Sequence, residues 1–99
     1  MVYYIYTSGE GATLVFEFDE AKSHANKRKH GMDFVEARSI WLDTERAEGE
    51  AGSSTEARFF VTGLVDGRHW TAVITYRGDR IRLISVRRAR KGEIDVYEA

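Results

Sequence analysis

Ninety-nine residues, of which 42% are hydrophobic, 12% aromatic and 31% charged, describe one folded domain (1–99), with enough chain for a single core and none to spare for a second. No apolar run approaches the roughly 20 residues of a membrane span, the opening MVYYIYTSGEG lacks the basic and apolar segments of a secretory leader, and without cysteine there is no disulfide framework, so a cytoplasmic location away from membranes is expected. A formal charge of −1 excludes a protein that coats nucleic acid without selectivity.

The first strand candidates are VYYIYT at 2–7 and LVFEF at 14–18, where Leu14, Phe16 and Phe18 alternate onto one face. The intervening SGEG suits a hairpin, although residues 1–13 could equally be a loose N-terminal extension. Asp19 then offers an N-cap, and EAKSHANKRKH reads as a short helix closed by Gly31, its thin apolar stripe made by Ala21 and Ala25. Asp33 and Glu36 have capping-box spacing for a second helix, FVEARSIW, which would turn Phe34, Ala37 and either Ile40 or Trp41 inward. Residues 43–57 are acidic and aperiodic and read as a mobile loop. RFFVTGLV, the turn at Asp66 and Gly67, HWTAVITY, the turn at Gly78 and Asp79, and IRLISVR then predict a three-stranded meander. ARKGEIDVYEA closes the chain as a helix with Ile94 and Tyr97 on one side. The order predicts an α+β fold: an antiparallel sheet packed on one face by two N-terminal helices and a C-terminal helix.

Charge is unevenly placed. From Arg77 to Gly92 there are seven basic residues (Arg77, Arg80, Arg82, Arg87, Arg88, Arg90, Lys91) against one acid, Asp79, whereas 43–58 holds five acids against two arginines. A basic zone of this kind could meet phosphate. The cluster Lys27, Arg28, Lys29 and His30 suits the last turn of a helix, where cations complement the dipole. RRARK does not have that excuse, because it enters a helix and opposes the dipole at about 0.3 to 1 kcal/mol per cation. Such breaches of a local rule concentrate at functional sites.

Metal and cofactor chemistry is not expected. Six residues of helix would place His24 and His30 about 240° apart, His69 is remote in sequence, and the carboxylates form no obvious magnesium cluster. Neither Ser39 nor Ser85 has the flanking glycines of a nucleophile elbow, and no phosphate-cradling glycine loop is present.

The succession FEFDEAKSHANKRKHGMDF, EAR, GLVDGRHWTAVITYR and RIRLISVRRARKGEIDVYE resembles the BrnT toxins of bacterial type II toxin–antitoxin modules, over residues 16–98. Its most specific pieces are D-x-x-K at Asp19 and Lys22, N-x-x-K-H-G from Asn26 to Gly31, and I-S-x-R-R-A from Ile84 to Ala89. The chain departs from that pattern in its first 15 residues, in Phe18 where tryptophan is common, and in TEAR where Gly-Glu-x-Arg is usual. The resemblance implies a RelE-like ribonuclease that blocks translation, with a BrnA-type ribbon-helix-helix antitoxin as its partner and operator DNA bound only through that partner. Carried over by motif, the catalytic candidates are Lys29, His30, Arg58, Arg87, Arg88 and Tyr97. The RNA contacts are Lys27, Arg28, Arg77, Arg80, Arg82, Arg90 and Lys91.

Metal-free RNA cleavage needs a base for the 2′-hydroxyl, an acid for the leaving 5′-oxygen and cations for the charge that builds on phosphorus. Lysine, histidine, arginine and tyrosine can fill these roles. Strand alternation turns Arg87 and Arg88 to opposite faces, so one of them reaches the phosphate, with Arg88 favoured. His30 is either a proton shuttle or a cap on helix carbonyls, and Tyr97 is either part of the site or of the core. Two other classes use the same cations: an RNA- or phosphate-binding module without catalysis, and a domain whose basic surface serves only an acidic partner segment.

Overall fold

The computed structural model describes residues 1–52 and 56–99. Along the chain run β1 (Val2–Thr7), β2 (Thr13–Phe18), α1 (Glu20–His30), α2 (Phe34–Ala37), a 3₁₀ segment (Arg38–Leu42), β3 (Ala47–Glu50), β4 (Phe59–Val65), β5 (Arg68–Arg77), β6 (Arg80–Arg88) and α3 (Lys91–Glu98). The six strands form one sheet in the order β1-β2-β6-β5-β4-β3.

Local chemistry explains the meander. Asp66 (φ 51°) and Gly67 (φ 77°) both take the left-handed conformation that a two-residue hairpin turn demands, and Gly78 (φ 62°) supplies it at the next corner. Residues 1–13 are no loose extension: β1 pairs antiparallel with β2 from Val2↔Phe18 to Thr7↔Thr13. Their turn is docked as well, with Gly9 N–H donating to Trp41 O at 3.0 Å; a Cβ at Gly9 would lie 2.1 Å from Leu42 O.

Four expectations are corrected. The sheet is mixed, since β2 and β6 run parallel in the register Val15↔Arg80, Phe16↔Ile81 and Glu17↔Arg82. The chain leaves β2 through α1, crosses one face and returns along the far edge, and such a crossover places strands parallel. Residues 47–50, expected in a loop, pair with β4 from Ala47↔Thr62 to Glu50↔Phe59; AEGE lacks strand propensity, but an edge strand needs only one neighbour and its glutamates guard the open side. Residues 53–55 of the expected loop lie outside the described residues. α1 buries Ser23 and Asn26, leaving Ala21 and Ala25 exposed. Ser23 Oγ accepts the Phe34 N–H (2.8 Å), while Asn26 Nδ2 donates to Met32 O and Val86 O (both 2.7 Å) and its Oδ1 accepts from Val86 N–H (3.3 Å). These bonds satisfy backbone groups that would cost about 1 to 3 kcal/mol each if buried unmet. Finally, the helices do not share a face. α1, α2 and the 3₁₀ segment cover the core side, whereas α3 contacts Thr71, which alternates with the core residues Trp70 and Ala72.

The core is aromatic at its centre. Phe16 meets Trp41 edge-on (4.9 Å), Phe18 meets Phe34 edge-on (5.5 Å), and both Ile40 and Trp41 are buried. β1 closes it from the flank, with Tyr4 stacked on Phe18 (5.3 Å) and Tyr6 edge-on to Phe16 (6.3 Å). Arg38 lies against both tyrosine rings, at 5.2 and 4.5 Å.

Candidate active site

The parallel ladder of β2 and β6 ends at Glu17↔Arg82. Beyond it β2 turns at Asp19 into α1, and β6 bulges: Val73 faces Ser85 and Ile74 faces Leu83, so Ile84 is an extra residue. Where the strands part, a cleft of about 170 Å³ opens, lined by Asp19, Lys22, Glu56, Arg58, Arg77, Arg82, Leu83 and Ile84.

Each polar group arrives there for a local reason. Asp19 caps α1, accepting the Lys22 N–H at 3.1 Å, and that hydrogen bond holds its carboxyl below the usual range. Lys22, in the first helical turn, follows from the same cap. Arg77 ends β5 and lies 3.5 Å from Glu56. Arg58 leads into β4, level with Thr75, whose hydroxyl donates to Ala57 O at 2.7 Å. Arg82 alternates with the core residues Ile81 and Leu83 and so points away from the core. Beneath it sits Glu17, 3% exposed, with Arg82 Nη1 3.0 Å from one carboxylate oxygen and Arg80 Nε 3.1 Å from the other. A buried carboxylate between two guanidiniums fixes their direction and lets them crowd. The cleft therefore gathers four cations and two carboxylates in a concave space. Among the described residues, no group of three His, Asp or Glu side chains is placed to hold a metal ion.

The other expected site residues lie elsewhere. Arg87 turns to the α3 side and makes a two-pronged pair with Glu93 (Nη1–Oε1 and Nη2–Oε2, both 2.8 Å), with Phe60 beneath it at 5.5 Å. Glu93 also receives the Thr71 hydroxyl (2.9 Å) and the Arg90 N–H (2.8 Å). The Arg87 guanidinium is the chief cause that holds the Glu93 carboxyl down to about 2, and Glu93 raises Arg87 in turn. This pair offsets the breach of the helix-dipole rule noticed in RRARK. Arg88 turns the opposite way, 5.6 Å from the Trp70 ring, its Nε 3.4 Å from His69 O. Tyr97 commits its hydroxyl to Asp43 Oδ2 (2.5 Å), which pushes it up to about 12, and it meets the His69 ring edge-on. Lys27 pairs with Glu36 (2.7 Å) and Lys91 with Asp95 (2.9 Å). Arg28 and Lys29 are exposed and His30 half-buried in the last turn of α1. That end of α1 borders a depression lined by Gly31, Met32 and Trp70, near Arg88.

Arg58 and Arg88 do not flank one site. They are level with Thr75 and Trp70, five residues apart on β5, or about 17 Å at ~3.3 Å per residue, and Arg88 lies on the core side. Of the expected residues the cleft unites Arg58, Arg77 and Arg82; it adds Asp19, Lys22 and Glu56. The D-x-x-K spacing was the signal for the first two, but it also reads as a helix cap.

A family model described as "Ribonuclease toxin, BrnT, of type II toxin-antitoxin system" matches residues 18–93. No curated protein matches the chain. The matched span takes in every residue that lines the cleft and leaves out β1.

Proposed function

The chain belongs to the BrnT family of ribonuclease toxins of type II toxin–antitoxin systems, and from that premise we propose that it cuts RNA internally at the cleft, without a metal ion, by attack of the 2′-hydroxyl. The observation that carries this reading is the convergence of Lys22, Arg58, Arg77 and Arg82 with two carboxylates in one concave space. Arg58 and Arg82 hold the phosphate and meet the charge of the phosphorane. Glu56 takes the 2′-hydroxyl proton, while Asp19 stays committed to the cap of α1, where the Lys22 N–H holds its carboxyl below the usual range. Arg77, beside Glu56, orients that carboxylate. Lys22 gives a proton to the departing 5′-oxygen. The new bond joins the 2′-oxygen to phosphorus, the bond to the 5′-oxygen breaks, and the products are a 2′,3′-cyclic phosphate and a 5′-hydroxyl end.

Loss of messages would block translation, and a BrnA-type ribbon-helix-helix antitoxin would neutralise the toxin by covering part of its basic surface. Operator DNA would be bound through that partner. A RelE-like descent of the fold belongs to the same proposal, and so does a role for Lys29, His30 and Arg88, as polar residues facing the antitoxin rather than the scissile phosphate.

The test is incubation of the purified protein with RNA in EDTA, followed by an RNA with a single 2′-deoxy nucleotide on the 5′ side of a mapped cut. Cleavage in chelator with a cyclic phosphate end is expected, and the deoxy substrate should resist at that bond. Equal cutting of the deoxy substrate would exclude the sugar as nucleophile. RNA retention without fragments would favour the non-catalytic binding module.

A further inference from the structure

β1 lies outside the span that the family model matches, and its two faces are used differently. Tyr4 and Tyr6 pack on the core, whereas Tyr3 and Ile5 point away from it and remain 53% and 72% exposed. Core packing does not call for an aromatic ring at Tyr3, and large apolar side chains grouped at a surface mark contact sites.

The register gives Tyr3 a position relative to the cleft. Tyr3 stands opposite Glu17, Glu17 opposite Arg82, and Arg82 opposite Thr75. A single transverse row thus leads from Tyr3 to the cleft on one face of the sheet. Two strand spacings of ~4.8 Å put the Tyr3 backbone about 10 Å from that of Arg82. The Arg80 guanidinium lies 5.3 Å from the Tyr3 ring and is held there by the buried Glu17. An exposed ring braced by a guanidinium, a short step from a phosphate-sized basic cleft, has the make-up of a base-stacking platform.

We propose that Tyr3, braced by Arg80, is a stacking subsite for one unpaired base of single-stranded RNA, next to the nucleotide whose phosphate occupies the cleft. The inference rests on the ribonuclease reading given above. It narrows the substrate to RNA that is single-stranded at the cut, because a base inside a duplex cannot leave its stack for the ring without a cost in pairing. It makes the subsite tolerant of base identity, since every base has a flat face. It also gives β1 a task that the cleft cannot perform: fixing which phosphate of a flexible strand comes to rest at Lys22 and Arg58.

The test uses the intact protein and single-stranded oligoribonucleotides with a mapped cut. Tyr3→Leu keeps the apolar bulk and removes the aromatic face, and Tyr3→Trp retains it. Tyr3→Leu should raise KM about 5- to 150-fold, the range for one lost base stack, with kcat changed far less, whereas Tyr3→Trp should stay close to wild type. With wild-type protein, an abasic nucleotide should weaken binding by a similar factor at one position within two nucleotides of the cut and little elsewhere. In Tyr3→Leu that abasic penalty should vanish. Wild-type cleavage of the unmodified RNA reports separately on the ribonuclease reading. If the wild type cuts RNA but Tyr3→Leu has an unchanged KM and no flanking abasic site matters, the subsite is refuted while the cleft stands. If the wild type neither cuts nor binds RNA, both fall. A change of sedimentation coefficient in Tyr3→Leu, with RNA binding unaltered, would assign the β1 surface to a second copy of the chain and overturn the proposal.

Discussion

Among single residues, the arginines divide by what already holds them. Arg87 is locked in a two-pronged pair with Glu93, Arg80 and Arg82 share the buried Glu17, and Arg58 and Lys22 reach the cleft without a carboxylate partner among the described residues. A free cation can close on a substrate phosphate without first breaking an ion pair. Arg58→Ala and Lys22→Gln should therefore each lower cleavage about 100-fold or more, the usual scale for losing a charge-stabilising or proton-donating group. Their unfolding free energies should stay within about 0.5 kcal/mol of wild type, as for exposed positions. Arg88→Ala and Lys29→Gln, at the far end of the sheet, should keep most activity. The checks are initial rates on a labelled RNA together with urea unfolding followed by circular dichroism. Loss of activity in Arg88→Ala with full activity in Arg58→Ala would move the reaction to the other end of the molecule. The position of Arg87 and Arg88 on opposite faces follows from strand alternation and was legible in the sequence. The partners that disable Arg87 were not, since Glu93 comes back to it only after the chain has turned into α3.

At the level of elements, α3 stands apart because none of its residues is buried. Polar ties hold it: Glu93 to Arg87 and Thr71, Tyr97 to Asp43, and Glu98 to His69 (2.8 Å). The Glu93 carboxyl falls from its ordinary 4.5 to about 2 on folding. A depressed carboxyl adds stability that is present above the unfolded value and is lost as pH falls through the folded one. The window is thus roughly pH 4.5 down to 2, with on the order of 3 kcal/mol at stake. Tyr97 has the opposite sign: raised to about 12, it stabilises below its unfolded value of 10, and that gain is lost as pH rises between the two. Denaturant unfolding across the acid window should show a steeper decline for wild type than for Glu93→Gln; parallel curves would mean that the pair contributes nothing net. Elements also differ in how far their residues announced them. The β4–β5–β6 meander was legible because its turns carry Asp-Gly and Gly-Asp, where left-handed φ is required. α1 was found through Asp19 and Gly31, but its inner face was not, since Ser23 and Asn26 are buried for the backbone groups they satisfy rather than for apolar area. β3 was missed because Glu48, Gly49 and Glu50 carry no strand signal, and only the neighbouring β4 makes them one. The cleft was legible in pieces, as Arg58, Arg77 and Arg82. Its assembly depends on β2 lying beside β6, a pairing with no local trace.

For the whole molecule, charge and topology meet at that seam. The net charge is close to zero, yet Arg58, Arg77, Arg80 and Arg82 collect where β2 joins β6, while Glu48 and Glu50 sit on the far edge of the sheet. The seam also sets a clock. The β1–β2 hairpin and the β4–β5–β6 meander each pair neighbours in sequence, but Glu17 and Arg82 are 65 residues apart. Long loops close late, and a nascent chain grows from its N-terminus at ~5 to 20 residues per second. Substitutions in the seam, such as Phe16→Leu or Ile81→Val, should then speed unfolding and leave the folding rate nearly unchanged in stopped-flow measurements, whereas an equal slowing of folding would place the seam in the nucleus. Until β6 has been synthesised and has found β2, the cleft has no second wall. On the proposed reading, a chain made only as far as β5 carries Lys22, Arg58 and Arg77 without the strand that gathers them, so activity comes into being when β6 closes on β2 rather than when the basic residues are made.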